Sequence, residues 1–293
     1  MSLKQVLKGT GVAVITPFKS NFEIDFNALG DVIDSLINGG VEYLVTLGTT
    51  GETPVLDNQE KIDIVNFTFE KVADRVPVVV GIGGNNTHEL IQDLHKFPLD
   101  KAVAVLSASP YYNKPSQDGL YYHYKAIAEA SPKPIILYNV PGRTGRNMSA
   151  ETTLKLAHDV PNIVGLKEAG GDMAQCMLLL RDRPADFLVV SGDDALALPQ
   201  LACGMDGVIS VAANAYPRAF SDMVRNCLNG DFVSAKLLND VLIDAYDLMF
   251  KENNPAGVKA FMTEQGLIQN YLRLPVVPLS KAIHDQVKLF LSK

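Results

Sequence analysis

Short apolar runs rich in Val, Ile and Leu recur along the chain, and longer amphipathic stretches separate them. The runs cover residues 12–15, 43–47, 78–82, 102–106, 135–138, 163–166, 187–190 and 208–211. Polar and apolar side chains hardly alternate within them, which is typical of parallel strands covered on both faces. The stretches between the runs have helical spacing, as in Phe26-x-x-Leu29-x-x-Val32-Ile33. Eight such strand-then-helix units favour an α/β fold, a (β/α)₈ TIM barrel, over a six-stranded open sheet.

The strand pattern stops beyond about Arg225. Three helical patterns follow, over residues 232–250, 256–264 and 280–291, with turns at Asn229-Gly230-Asp231 and Asn253-Asn254-Pro255. No low-complexity segment or long linker separates the two parts of the sequence. We therefore predict a catalytic barrel over residues 1–225 and a C-terminal helical extension, or domain, over residues 226–293.

The formal net charge of −7 argues against a nucleic-acid partner, because neutralising phosphates requires a basic surface. The N-terminal sequence has no apolar core long enough for a signal peptide, and no run approaches the length of a membrane span. The cysteines Cys176, Cys203 and Cys227 are widely spaced without a CxxC pair, which predicts buried thiols in a reducing compartment. We expect a cytoplasmic protein that binds neither nucleic acid nor membrane.

In barrels of this type, the active site forms at the carboxyl ends of the strands. Hydroxyl, amine and guanidinium groups collect at those ends in this sequence. The segments concerned are residues 48–52, 107–113, 138–145, 165–168 and 191–194. Candidate chemistry is therefore expected at one rim of the barrel.

Lys167 ends the sixth apolar run, in Ile163-Val164-Gly165-Leu166-Lys167. Lysine is rarely buried without a reason. Loss of water in a barrel mouth disfavours the ammonium form, and the neutral amine is a nucleophile for the carbon of a ketone or aldehyde. The alternative is a structural lysine that pairs with Glu168 or with the adjacent helix. Position alone leaves both interpretations open.

Other polar residues at this rim fit a site for 2-oxo acids. Tyr138 ends the preceding run and can move the protons that imine formation requires, or it can cap the barrel core. Arg143 can bind a carboxylate through two hydrogen bonds, or it can be a solvated loop residue. Thr49 and Thr50, between glycines, offer hydroxyl and backbone N–H donors to another carboxylate, or form an ordinary turn.

At these motifs the sequence resembles the dihydrodipicolinate synthase / N-acetylneuraminate lyase superfamily, and the resemblance covers nearly the whole chain. The matching segments are GTTGE (48–52), SPYYNKPSQDGLYYHY (109–124), ILYNVPGRTG (136–145), GLKEA (165–169), SGDD (191–194), GVISVAAN (207–214), NPAGVKAFM (254–262) and RLPVVPLS (273–280). The resemblance implies a (β/α)₈ barrel with a C-terminal helical domain, assembled as a homotetramer that is a dimer of dimers.

The resemblance also implies the catalytic residues. Lys167 matches the lysine that forms a Schiff base with pyruvate, and Tyr138 matches a proton-shuttling tyrosine. Thr50 matches the threonine of its proton relay. Tyr112 matches a tyrosine that enters the active site of the neighbouring subunit, which would make the dimer part of the catalytic unit.

Substrate-binding residues follow from the same resemblance. Thr49 and Thr50 match contacts to the carboxylate of pyruvate, and Gly192 and Ile209 match residues that line the pocket. The NVPxRTG pattern around Arg143 resembles members in which this arginine binds the carboxylate of L-aspartate 4-semialdehyde.

The implied reaction is the condensation of pyruvate with L-aspartate 4-semialdehyde to 4-hydroxy-tetrahydrodipicolinate, in diaminopimelate and lysine biosynthesis, without a metal or an organic cofactor. An N-acetylneuraminate lyase or a 2-keto-3-deoxygluconate aldolase of the same superfamily is an alternative that keeps the Lys167 imine. A catalytically silent, metabolite-sensing barrel is a third hypothesis, which the presence of Lys167, Tyr138 and the threonine pair disfavours.

Some members of the superfamily are inhibited by lysine at a dimer interface. Asn85, Glu89 and Tyr111 match that allosteric site. Asn58 and Lys61 stand where lysine-sensitive members often have histidines, and a cation at Lys61 would repel bound lysine. We therefore expect weak inhibition at most.

Asp193 and Asp194 follow the seventh run and could form a pair of acid–base carboxylates. We predict instead a strand-end turn that caps the helix expected to begin at Ala195.

Overall fold

The computed structural model describes residues 2–292, and its centre is a closed barrel of parallel strands. Each strand pairs with the next one along the chain, and the last pairs with the first. The strands are β1 (Gly9–Ala13), β2 (Tyr43–Thr46), β3 (Val78–Gly81), β4 (Ala104–Ala108), β5 (Ile135–Asn139), β6 (Ile163–Glu168), β7 (Leu188–Ser191) and β8 (Gly207–Ser210). The predicted (β/α)₈ barrel is confirmed.

Helices alternate with the strands and then continue beyond the barrel. They are α1 (Leu3–Val6), α2 (Phe26–Asn38), α3 (Asn58–Val72), α4 (Thr87–Lys96), α5 (Gln117–Ala130), α6 (Pro141–Thr144), α7 (Ala150–Asp159), α8 (Met173–Asp182), α9 (Ala197–Ala202), α10 (Pro217–Leu228), α11 (Phe232–Phe250), α12 (Ala256–Glu264) and α13 (Lys281–Leu291). Side chains cap several of the first turns: Asp25, Asp57, Ser116 and Ser149 each accept from a backbone N–H three residues later. Between residues 2 and 292, no helix combines the length and apolar content that crossing a membrane requires.

The strand side chains divide between two apolar clusters, one inside the barrel and one between the barrel and its helices. The fully buried ring of Tyr43 fills the amino-terminal end of the barrel. A Cβ atom at Gly11 would lie 2.2 Å from that ring, so a glycine at this position is what admits it. Burial also raises the pKa of Tyr43. An aromatic ring thus fills this end of the barrel interior.

The C-terminal helices have the predicted bounds, except that α13 begins at Lys281, one residue later than predicted. Helix α10 runs from Pro217 to Leu228 and therefore passes through the predicted boundary between residues 225 and 226. The division of the chain into two domains stays a prediction.

Buried charges anchor the C-terminal part to the barrel. Lys259 is fully buried, and its ammonium donates to the Glu52 carboxylate and, at 3.0 Å, to the main-chain oxygen of Tyr271. The backbone N–H of Arg273 donates to the second Glu52 oxygen at 3.1 Å, and its guanidinium pairs with Glu60 at 2.5 Å. The loop after β2 and the segment after α12 therefore pack as one unit.

The three cysteines are free thiols, with Cys176 and Cys227 buried. Cys203 is exposed, so the prediction of a buried thiol is wrong for this residue. It directly follows the last residue of α9 and precedes the exposed Gly204, where the chain turns. At this point the chain has left the face of the helix that packs on the barrel.

Candidate active site

Lys167 lies at the carboxyl end of β6, in the mouth of the barrel, and is 5% exposed. It is the register partner of Tyr138 in the parallel pair β5–β6, so both side chains point to the same side of the sheet. The Lys167 Nζ atom lies 4.4 Å from the centroid of the Tyr138 ring. The structure thus brings the predicted nucleophile into contact with the predicted proton carrier.

Glu168 does not pair with Lys167, because successive strand residues point to opposite faces of the sheet. Its buried carboxylate accepts hydrogen bonds from Asn139 Nδ2 at 3.0 Å, Gly170 N at 2.6 Å and Gln175 Nε2 at 3.1 Å. Burial raises the pKa of Glu168, and these hydrogen bonds oppose that rise. Among residues 2–292, none of the ion pairs includes Lys167. The amine is therefore buried without a counter-charge.

Gly192 follows β7 and packs against the Lys167 side chain. A Cβ atom at this position would lie 2.9 Å from Lys167 Cε and 2.8 Å from Ala169 Cβ. Carbon atoms do not approach so closely, so glycine leaves the space that the lysine occupies. The predicted pocket-lining role of Gly192 corresponds here to direct contact with the predicted nucleophile.

Ile209 is fully buried in β8, where it pairs with Gly11 of β1. Its side chain belongs to the same inward-facing cluster as Tyr138. It therefore forms part of the apolar wall of the barrel interior.

Thr49 and Thr50 lie in a 3₁₀ turn, Thr49–Gly51, that follows β2. Thr50 is 2% exposed, whereas Thr49 is half-buried. The Thr16 hydroxyl donates to the main-chain oxygen of Gly51 at 2.7 Å and holds the turn against the loop after β1. Both threonines are thus presented at the rim by a turn that is tied to its neighbour.

Arg143 lies on the short helix α6, which Pro141 begins after β5, and its side chain is exposed. Its guanidinium makes one hydrogen bond within residues 2–292, from Nη2 to the main-chain oxygen of Asn254 at 3.3 Å. A guanidinium has five N–H donors, so most of them are left for a ligand.

Asn254 links this arginine to the threonine turn, although the sequence pattern indicated only a turn there. It is 5% exposed, in the connection between α11 and α12. Its Nδ2 donates to Thr50 Oγ1 at 3.1 Å, while its main-chain oxygen accepts from Arg143. Its place at the start of the NPAGVKAFM segment was the available signal, but its partner lies 204 residues away along the chain.

Tyr112 projects from the loop after β4 with 89% of its surface exposed and a φ of 68°, in the left-handed region. The same loop is tied to the rest of the barrel through Asn113 and Lys114, the two residues that follow Tyr112. Asn113 Nδ2 donates to the Asn85 main-chain oxygen at 3.1 Å, and Arg146 donates to the Lys114 main-chain oxygen at 3.3 Å. Within a single chain, Tyr112 does not join the buried group around Lys167.

The predicted allosteric residues lie on the outside of the barrel. Asn85 Nδ2 donates to the main-chain oxygen of Tyr111 at 3.3 Å, so these two are neighbours. Glu89 is exposed in the first turn of α4. Asn58 and Lys61 lie in the first turn of α3. The regulatory role of these residues stays a prediction.

Asp193 and Asp194 have different roles. Asp193 accepts from the backbone N–H of Ala195 at 3.0 Å, in the turn that precedes α9. Asp194 is 2% exposed and instead accepts from Val211 N at 3.0 Å and Ala212 N at 2.7 Å. Helix α9 begins at Ala197, not at Ala195, and its N-cap residue Leu196 makes no side-chain cap, so the prediction that the two aspartates cap this helix is wrong. Asp193 closes the preceding turn instead, and the loop after β8 offers Asp194 two backbone donors. Burial raises the pKa of Asp194 to about 6.

The fold and the groups at its rim define a class of protein: a (β/α)₈ barrel with a buried lysine amine suited to carbonyl chemistry. The sequence model of the Dihydrodipicolinate synthetase family matches residues 6–293. The chain belongs to this family.

Individual relatives are similar over almost the full length. The 4-hydroxy-tetrahydrodipicolinate synthase of Azobacteroides pseudotrichonymphae is 47% identical over 283 residues, covering 97% of this chain and 96% of its own. The synthase of the same name from Flavobacterium psychrophilum is 47% identical and covers 98% of both chains. The crystal structure of dihydrodipicolinate synthase from Aquifex aeolicus superposes with a TM-score of 0.94 at 38% identity, covering 97% of both chains.

Proposed function

We propose that this chain condenses pyruvate with L-aspartate 4-semialdehyde to 4-hydroxy-tetrahydrodipicolinate and water, a step of diaminopimelate and lysine biosynthesis. Relatives that are 47% identical over nearly the whole chain carry the name of the corresponding synthase. The observation that carries the proposal is the Lys167 amine, which is buried without a counter-charge beside Tyr138.

The first half of the reaction joins pyruvate to Lys167. The neutral amine adds to C2 of pyruvate, and the former carbonyl oxygen leaves as water to give an imine. Tyr138 exchanges the protons of these steps with Thr50 as its relay partner, since its ring lies 4.4 Å from Nζ. Thr49 and Thr50 bind the carboxylate of pyruvate, while Gly192 and Ile209 shape the space around the adduct.

The second half forms the new carbon–carbon bond. Loss of a proton from the pyruvate methyl group gives an enamine, whose C3 attacks the aldehyde carbon of the semialdehyde. The aldehyde oxygen takes up a proton and becomes a hydroxyl group. The amino group of the former semialdehyde then displaces Lys167 Nζ from C2, which closes the ring and regenerates the free lysine.

Arg143 supports the choice of a second substrate that carries a carboxylate. Its guanidinium is exposed at the rim and uses one of its N–H groups within the chain, for Asn254. A planar guanidinium can bind a carboxylate through two parallel hydrogen bonds. We assign Arg143 to the carboxylate of L-aspartate 4-semialdehyde.

A homotetramer, built as a dimer of dimers, is the proposed working form. Tyr112 supports it, because a tyrosine that is 89% exposed at the site's rim is free to enter a neighbouring subunit. In that arrangement its hydroxyl would complete the proton relay of the partner's site.

The proposed location is the cytoplasm. Three free thiols, two of them buried, fit a reducing compartment. Weak inhibition by lysine at most is proposed, because the ammonium of Lys61, at a position of the inferred regulatory site, would repel bound lysine.

Two measurements test the function together. Treatment with borohydride in the presence of pyruvate should reduce the imine and place a stable adduct on the peptide that contains Lys167, as mapped by mass spectrometry. Coupled assays should then show product from pyruvate and L-aspartate 4-semialdehyde, and no cleavage of N-acetylneuraminate or 2-keto-3-deoxygluconate. An unmodified Lys167 would refute the imine, whereas an adduct without semialdehyde turnover would refute the substrate assignment.

A further inference from the structure

Within residues 2–292, the Thr50 hydroxyl accepts a hydrogen bond but donates none. Its oxygen accepts a hydrogen bond from Asn254 Nδ2 at 3.1 Å in a buried environment. Among residues 2–292, no hydrogen bond is donated by the Thr50 hydroxyl itself. A hydroxyl has one proton and two lone pairs, so this arrangement leaves the proton for a ligand or a reacting group.

The amide of Asn254 is oriented with its nitrogen toward Thr50. Its Oδ1 is buried and has no hydrogen-bond partner within the described chain. In the opposite orientation Thr50 would donate to Oδ1, and the NH2 group would take the buried unpaired position instead. That alternative would consume the hydroxyl proton that the relay requires. The observed orientation therefore keeps the Thr50 proton available.

Asn254 also contacts Arg143, in the part of the site that we assign to the second substrate. The main-chain oxygen of Asn254 accepts from Arg143 Nη2 at 3.3 Å. Substitution of the side chain leaves this oxygen in place. A mutation of the side chain therefore removes the contact with Thr50 and keeps the contact with Arg143.

We propose that Asn254 is a positioning residue that fixes the Thr50 hydroxyl as a donor toward the reacting groups and holds Arg143 through its backbone. The inference rests on the proposed function, because it states in which direction Thr50 donates its hydroxyl proton during that reaction. It predicts that the Asn254 side chain acts on the pyruvate half-reaction and not on recognition of the semialdehyde.

Two substitutions and one control test this direction. Asn254→Asp keeps the shape, but an ionised carboxylate accepts hydrogen bonds and would draw the Thr50 proton away from the reaction. Asn254→Ala removes the side chain. Asn253→Asp places the same charge on the preceding residue, which is exposed.

The readouts separate the half-reactions. Exchange of the pyruvate methyl protons in D2O, followed by NMR without semialdehyde, reports imine and enamine formation. Steady-state kinetics from pH 6 to pH 9 report kcat and the KM for the semialdehyde. Thermal unfolding establishes that each variant is folded.

We expect Asn254→Asp to lower the exchange rate and kcat about 100-fold at pH 8, with partial recovery toward pH 6 as the carboxylate takes up a proton and can donate. Asn254→Ala should lower both about 10-fold without that pH dependence. In both variants the KM for the semialdehyde should stay within about threefold of wild type, and Asn253→Asp should behave as wild type.

Wild-type exchange and an unchanged pH profile in folded Asn254→Asp would overturn the inference, as would a raised KM for the semialdehyde with normal exchange. If Asn254→Asp does not fold, the same division of effects in Asn254→Ala decides the question. Absence of exchange in the wild type would instead refute the proposed function.

Discussion

Lys167 and Lys259 are 5% and 0% exposed, and each Nζ lies 4.4 Å from the centroid of an aromatic ring. Lys259 also pairs with Glu52 and donates to a main-chain oxygen, whereas Lys167 has neither kind of contact within residues 2–292. Burying a charge is expensive unless it is paired. The compensated lysine belongs to the packing of the C-terminal part on the barrel, and the uncompensated one is the lysine to which we assign the reaction.

The arginines repeat this contrast. Arg273 donates to Glu60, to the main-chain oxygens of Phe22 and Val55, and through its backbone to Glu52. Arg143 makes a single contact through its guanidinium in the described chain. Most donors of Arg143 are therefore left for the ligand that we assign to it, whereas those of Arg273 are used within the fold.

The largest expected effect is on activity when the uncompensated amine is removed. Lys167→Ala should lower kcat at least about 1,000-fold, because the amine that forms the proposed imine is removed. Borohydride with pyruvate should leave the variant unlabelled, while its thermal unfolding stays close to that of the wild type. Retained turnover would mean that Lys167 is a structural lysine after all.

The matched change at the compensated lysine should act on stability. Lys259→Met leaves the Glu52 carboxylate buried and unpaired, so the free energy of unfolding should fall by about 3–5 kcal/mol. Denaturant titration measures this loss. Glu52→Gln combined with Lys259→Met should recover most of it, and a double variant as unstable as the single one would show that the ion pair is not the cause.

Arg143→Ala tests whether the unsatisfied guanidinium binds substrate. Loss of a charge-assisted contact of about 2–3 kcal/mol should lower kcat/KM for the semialdehyde about 30- to 150-fold, while the pyruvate adduct still forms. Arg146→Ala is the control, because Arg146 is exposed on the same loop and donates to the Lys114 backbone. Loss of the pyruvate adduct in Arg143→Ala would contradict its assignment.

Gly192→Ala tests how closely the reactive lysine is held. The added Cβ atom would meet Lys167 Cε at 2.9 Å, so the amine must shift. We expect kcat to fall about 10-fold or more, since a displacement of about 1 Å can cost up to 100-fold. Gly84→Ala, whose Cβ atom would make only ordinary contact with Leu90 at 3.7 Å, should leave kcat unchanged. Equal effects of the two substitutions would argue against specific contact with Lys167.

The smallest expected effect concerns the titration of Lys259. Burial lowers the pKa of this lysine to about 8. In the unfolded chain, Lys259 keeps its proton up to about pH 10.4. Between about pH 8 and pH 10.4 the unfolded state therefore binds more protons than the folded state, and the free energy of unfolding rises with pH. Between pH 7 and pH 9 the gain should be about 1 kcal/mol relative to the Glu52→Gln/Lys259→Met variant. If the difference in unfolding free energy between the wild type and this variant does not change with pH, Lys259 and Glu52 stay fully charged over the range.

The sequence predicts those parts of the molecule that depend on local periodicity. The apolar runs identified all eight strands, and the adjacency of β5 and β6 was enough to place Tyr138 beside Lys167. Patterns over residues 232–250 and 256–264 gave the helix bounds without error.

Polar contacts between distant segments were not predicted. Asn254 and Thr50 are 204 residues apart, and Lys259 and Glu52 are 207 apart. Such contacts involve single side chains and leave no periodic signal in the sequence. Asp194 shows the same limit at short range, because its preference for Val211 and Ala212 over a helix start depends on how two neighbouring loops pack.

The contact between Thr50 and Asn254 has a consequence for biosynthesis. A chain leaving the ribosome exposes Lys167, Tyr138 and the threonine turn well before Asn254 is available. Until α11 is made and the link after it docks, Thr50 lacks its donor and Arg143 lacks its backbone support. The site proposed here is therefore complete only when synthesis of the chain is nearly finished, because the contacts of Asn254 with Thr50 and Arg143 form last.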